Sequence, residues 1–116
     1  MDIKGLQKRQ KEFDNRHGFP TVVSSVPGKY LQISKDLVGL LGEIGEFANI
    51  VKKVNLSLDR HGEDGLPLSS LEQSLREELI DSFIYLIRLA TILEVDVEAE
   101  YLKKMLINER KYEDFK

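Results

Sequence analysis

The chain has 116 residues, 20 acidic against 17 basic side chains, and a formal net charge of −3 at neutral pH. That length fits a single domain over residues 1–116 with a modest core, and 41% hydrophobic against 32% charged residues is a globular balance rather than a disordered one. With no cysteine and two separated histidines, His17 and His61, the composition excludes a disulfide framework, a thiolate zinc site and a His-rich transition-metal centre. Any metal must be a hard cation held by carboxylates.

The first predicted element runs from Asp2 to about Arg16, with Ile3, Leu6, Gln10 and Phe13 on one helical stripe. The opening stretch MDIKGLQKRQKEF is charged and has no apolar core, so no secretory signal is expected and the setting is read as cytoplasmic. Its basic residues Lys4, Lys8, Arg9 and Lys11 are diluted by Asp2, Glu12 and Asp14, which argues against nucleic-acid binding. Gly18 to Gly28, rich in Gly and Pro, is expected to be a loop, with His17 just before it also read as a loop residue and Phe19 a weak candidate for covering a base.

A second helix is expected from about Ser34 to Val54, where Leu37, Leu40, Leu41, Ile44, Phe47, Ala48 and Val51 recur at three- and four-residue steps. The long stretch 55–70, with its Gly and Pro at Gly62 to Pro67, reads as a loop that includes His61. The third helix begins at Ser69, which forms a capping box with Glu72, and runs to about Leu93. It carries one apolar stripe through Leu71, Leu75, Leu79, Leu86, Ala90 and Leu93, and a second through Ile80, Ile84 and Ile87. A helix apolar on two faces needs more than one neighbour, so a homo-oligomer, dimer or tetramer, is expected. This segment is too short and too interrupted by Asp81 and Arg88 to cross a membrane. A fourth helix follows Asp96 as N-cap, with Val97, Leu102, Met105 and Leu106 as its apolar positions, Glu98 and Glu100 early and Arg110 and Lys111 late, as the helix dipole favours. No strand alternation is present. The expected fold is all-α, a four-helix bundle.

Two acidic pairs stand out. Glu43 and Glu46 lie in GEIGEFA and Glu78 and Asp81 in EELID, each pair three residues apart on one helix face. None of the four has a basic residue three or four positions away, whereas Glu72 has Arg76 and Glu100 has Lys104. Should the two helices face each other, like charges about 4 Å apart would cost on the order of 4 kcal/mol at an effective dielectric of 20, and a divalent cation would reverse the sign. Carboxylates without histidine favour Mg²⁺ or Mn²⁺. The plain alternative is a row of solvated acids beside a core stripe.

These motifs resemble the MazG-like all-α nucleoside triphosphate pyrophosphohydrolases, whose pattern is E-E-x-x-E on one helix and E-x-x-D on the next. GEIGE supplies Glu43 and Glu46, ELID supplies Glu78 and Asp81, and Gly42 stands where the pattern has its first Glu, as in the dCTP-pyrophosphatase-type branch. Lys104, Asn108 and Tyr112 match a K-x-x-x-N-x-x-x-Y pattern in the last helix. The resemblance covers about Leu31 to Tyr112. It implies hydrolysis of a nucleoside triphosphate to the monophosphate and pyrophosphate, with Mg²⁺ held by Glu43, Glu46, Glu78 and Asp81 and water activated by Glu46. Lys104 would touch phosphate, its alternative being the ion pair with Glu100. Asn108 would meet the base or sugar, with Tyr85, Tyr112 and Lys53 completing the substrate contacts; Lys53 stands where some relatives place a base-stacking aromatic. The stretch Phe47 to Glu77 is long for the family.

Other chemistries fit poorly. Neither histidine has a Glu three residues before it, as a di-iron bundle requires. No G-x-S-x-G elbow is present for a serine hydrolase. A non-catalytic helical interaction module is the remaining alternative.

Overall fold

The computed structural model describes residues 1–63 and 67–115. Among them are four helices and no strand: α1 (Ile3–His17), α2 (Val26–His61), α3 (Leu68–Ile92) and α4 (Val97–Lys111). The expected all-α class is the observed one. No described helix is long and apolar enough to cross a membrane.

The helix ends follow from capping chemistry. Asp2 caps α1 by accepting from the Gly5 amide at 2.7 Å, and Asp96 caps α4 by accepting from Ala99 N at 3.1 Å, so both acids satisfy amides that have no partner within the helix. The start of α2 differs from expectation. Ser25 is its N-cap, its Oγ accepting from Gly28 N at 3.1 Å, so Val26, Pro27 and Gly28 form the first helical turn. Pro and Gly are tolerated there because first-turn amides need no helical acceptor. The far end of α2 also extends past Val54 through NLSLDRH, to Gly62, which closes it in the left-handed region (φ 66°) with its N–H on Leu58 O. His17 and His61 are accordingly the last residues of α1 and α2, not loop residues.

α3 begins at Leu68, so Ser69 lies inside the helix and the expected capping box with Glu72 does not form. The carbonyl of Pro67 accepts instead from Leu71 N (3.1 Å) and Ser70 Oγ (3.0 Å). Of the stretch read as a loop, 55–61 and 68–70 are helical, and 64–66 lie outside the described residues.

The chain divides into two compact units, 1–33 with 87–116 and 34–86. In the first, polar side chains do much of the fastening. Gln7 of α1 donates to Val95 O (2.7 Å) and accepts from Val97 N (3.3 Å), binding α1 to the turn that opens α4. Asp14, 1% exposed, pairs with Arg88 of α3 at 3.0 Å and accepts from Gln10 at 2.9 Å, while Arg88 also donates to Pro20 O. The expected α1 stripe is therefore only partly an apolar seam: Leu6 and Phe13 are exposed, and the buried position is Asp14. Phe13, His17 and Phe19 form a small aromatic group, the Phe13 and His17 centroids 4.4 Å apart. Ile87 and Ile92 supply buried apolar surface, whereas Leu102, Met105 and Leu106 of α4 are exposed.

In the unit spanning 34–86, α2 and α3 run as a hairpin, with Leu40, Asp36 and Ser82 buried. The two helices approach closely where the Tyr85 ring lies over Gly39; a Cβ at position 39 would fall 2.7 Å from the phenol oxygen. Only a residue without a side chain admits that contact. It sits one turn from Glu43 and so helps to set which faces of α2 and α3 meet.

Candidate metal centre on α2 and α3

Glu43 and Glu46 extend from α2 and Glu78 from α3, and one carboxylate oxygen of each lies within 4.8 Å of the other two. The facing of the two acidic helices, which spacing alone leaves open, is thus realised for three of the four acids. Glu43 and Glu78 are half-buried and Glu46 is exposed, so the trio is seated at its base and open to solvent at one side. The backbone behind Glu78 is fixed by Ser82, whose hydroxyl donates to the Glu78 carbonyl at 2.8 Å.

Such proximity is unfavourable for three negative charges, and a proton relieves it. The Glu78 carboxyl is pushed up from an ordinary 4.5 to about 7, first by the hydrogen bond it donates to Glu43, then by burial, then by its bond to Glu46 and the negative charges of both neighbours. With the trio ionised no donor remains, and Glu78 Oε2 is a buried acceptor with no hydrogen-bond partner. A cation offers what a carboxylate in that position lacks. The donor set is all oxygen and all anionic, without nitrogen or sulfur, which fits a hard divalent ion such as Mg²⁺ or Mn²⁺.

The remaining expected residues distribute as follows. Asp81 is exposed and stands outside the trio, lining a groove of about 440 Å³ with Gln73, Arg76, Glu77 and Ile80. Tyr85 is half-buried on Gly39, in the same unit as the trio, and Lys53 is exposed on α2. Lys104 and Asn108 lie on α4, exposed and half-buried respectively, and Tyr112 is its C-cap; all three belong to the other unit. The Lys111 ammonium sits 5.3 Å from the Tyr112 ring centroid. The Glu72–Arg76 pair forms at 3.4 Å, and the Glu100–Lys104 pair is not among the ion pairs of the described residues.

Gly39 is the contributor that sequence reasoning passed over. Its signal was present in GLLGEIGE, three glycines within seven residues of a helix, but their different uses were not separable: Gly39 accommodates Tyr85, while a Cβ at Gly42 or Gly45 would meet nothing within 4 Å.

No family model matches the chain. The human protein dCTP pyrophosphatase 1 is 38% identical to it over 78 residues, a stretch that makes up 66% of this chain and 43% of the human protein. The chain therefore spans less than half the length of the curated relative it matches.

Proposed function

We propose that this protein, as a homo-oligomer, hydrolyses a nucleoside triphosphate to the monophosphate and pyrophosphate with the help of Mg²⁺, Mn²⁺ being the natural substitute. The observation that carries the reading is the trio Glu43, Glu46 and Glu78, contributed by two helices, with a buried acceptor oxygen that no donor meets. The likeness to a protein named for dCTP pyrophosphatase activity supports it, and makes dCTP the first substrate to try.

Glu43 and Glu78 would hold the cation at the half-buried base, with Glu46 at the exposed side. Asp81, three residues beyond Glu78, is the proposed fourth carboxylate. When bound, the ion supplies positive charge against the triphosphate and makes coordinated water more acidic. Glu46, which is exposed, is proposed to take a proton from the attacking water. The water oxygen then bonds to the α-phosphorus, the bond from that phosphorus to the bridging oxygen breaks, and pyrophosphate leaves. Lys53 and Lys104 are proposed to pair with phosphate oxygens, Asn108 to contact base or sugar, and Tyr85 and Tyr112 to flank the nucleoside.

The test is pyrophosphate release by the full chain with Mg²⁺ across ribo- and deoxynucleoside triphosphates. Turnover of at least one, stopped by EDTA, is expected. No turnover by helical, folded protein would overturn the reading and leave a non-catalytic helical interaction module.

A further inference from the structure

A second concentration of charge lies wholly in the unit of residues 1–33 and 87–116, and so holds none of the carboxylates of the metal centre. Lys4, Lys8 and Lys11 recur at steps of four and three along α1, which puts them on one helix face over about 10 Å. They line a groove of about 430 Å³ against the turn between α3 and α4. The acids that dilute them along the sequence, Asp2, Glu12 and Asp14, do not line it. Glu94 and Asp96 do, and the groove stays net positive in a chain that is net negative.

The walls of this groove are tied together, while its cations are uncommitted. Gln7, between the lysines, donates to Thr91 Oγ1 (3.3 Å) and Val95 O (2.7 Å) and accepts from Val97 N (3.3 Å). The Asp96 carboxylate is engaged by Ala99 N. The ion pairs of the described residues, Glu72–Arg76 and Asp14–Arg88, include none of the three lysines. Glu94 holds a left-handed backbone (φ 58°) at the end of α3, where glycine is the usual residue. A carboxylate is thus kept in the groove at a conformational cost that glycine would avoid.

We propose that this groove binds the di- or triphosphate chain of a nucleotide at a site separate from the metal centre, the three lysines taking phosphate oxygens and Glu94 accepting from the sugar hydroxyls. A row of ammonium groups matches a chain of negative charges better than a single one, and each contact becomes a charge-assisted hydrogen bond. The volume is that of a small-molecule site. A free inorganic polyphosphate shares this chemistry except for the hydroxyls, and there Glu94 discriminates: it repels a bare polyanion and accepts from a sugar. The site depends on no step of the hydrolysis.

Titration calorimetry of the full chain in EDTA, with CTP and with inorganic triphosphate, tests it without reference to turnover. Both should bind, CTP the more tightly, and both should weaken as salt rises. Lys4→Gln with Lys8→Gln should weaken both at least ~10-fold, as the loss of two charge-assisted contacts implies. Lys35→Gln with Lys103→Gln removes the same charge from exposed positions outside the groove and should change little. Glu94→Gln should tighten inorganic triphosphate and erase the advantage of CTP. Amide NMR shifts on adding either ligand to the wild type give a readout that needs no variant, and should cluster on residues 4–11 and 91–96. No saturable binding, equal weakening by the two lysine pairs, or shifts confined to residues outside the groove would overturn the site. Equal affinity of the wild type for the two ligands would overturn the nucleotide as its ligand.

Discussion

Glu78 of α3 faces Glu43 of α2 across the helix pair, one carboxylate oxygen of each within 4.8 Å of the other, and that neighbour is the first cause of the Glu78 carboxyl rising to about 7. Two acids brought together this way store an unfavourable interaction that depends on pH and on cations. The stability of the metal-free chain should report it. In the unfolded chain Glu78 titrates near 4.5, so between 4.5 and about 7 the folded state holds a proton that the unfolded state has released. Stability is then at its fullest contribution below 4.5 and is lost as pH rises through about 7. In EDTA, the Tm of Glu78→Gln should fall less than that of wild type between pH 5 and pH 7.5, and Mg²⁺ should restore the wild type at the upper end. Identical pH dependence in the two proteins would contradict the raised Glu78 carboxyl.

The same proton must leave when a cation binds, so Mg²⁺ affinity should increase with pH up to about 7 and flatten above it. Titration calorimetry in buffers of different ionisation enthalpy should detect proton release at pH 6. Glu78→Gln should lower cation affinity and turnover at least ~100-fold, since even groups that merely support a metal ligand are worth 10–100-fold. Asp81→Asn, outside the trio, should cost less than Glu78→Gln in affinity. The reverse order would move the centre of the site toward Asp81.

How much of this was legible in the sequence depended on which physical signal carried it. The helical period of α2 and α3 and the Asp96 cap are local signals that read true, whereas the Ser69–Glu72 capping box, equally local, does not form and the Asp2 cap went unread. The α2 start was missed because Pro27 and Gly28 are turn residues in general yet harmless in a first turn capped by Ser25. Asn55 and Ser57 hid the continuation of α2 because their weak helix propensity counts for little inside a long helix. Spacing singled out Glu43, Glu46 and Glu78, which the fold brings together, but the exclusion of Asp81 from the trio depends on helix rotation, which no spacing within one helix encodes. Asp14 and Arg88 were opaque for the same reason: each reads as a surface charge until its partner 74 positions away is seen.

That buried pair gives a stability prediction with a sign that depends on how it is broken. Asp14→Ala alone strands the Arg88 guanidinium, whose side chain is 8% exposed, and should cost roughly 3–5 kcal/mol. The double variant Asp14→Leu with Arg88→Met removes both charges. It should recover a large part of that loss, because desolvating an ion pair offsets most of its attraction. Chemical denaturation of the two variants measures the difference. A double variant as unstable as the single one would show that the further contacts of Asp14 and Arg88, to Gln10 and the Pro20 carbonyl, matter more than the charges themselves.

The glycines of GLLGEIGE separate packing from propensity. All three sit inside α2, where alanine is favoured over glycine by about 1 kcal/mol. At Gly42 and Gly45 a methyl meets nothing within 4 Å, so Gly42→Ala and Gly45→Ala should each stabilise by about 0.5–1 kcal/mol. At Gly39 the methyl collides with the Tyr85 ring, an overpacking cost of roughly 1–3 kcal/mol that should cancel or exceed the propensity gain. Gly39→Ala should therefore be neutral to destabilising in wild type and stabilising in a Tyr85→Ala background, where the ring is gone. The double-mutant cycle isolates the contact, because propensity is common to both backgrounds. Equal effects of Gly39→Ala in the two backgrounds would remove Tyr85 as the reason for a glycine at position 39, and with it one of the contacts that bring Glu43 and Glu78 together.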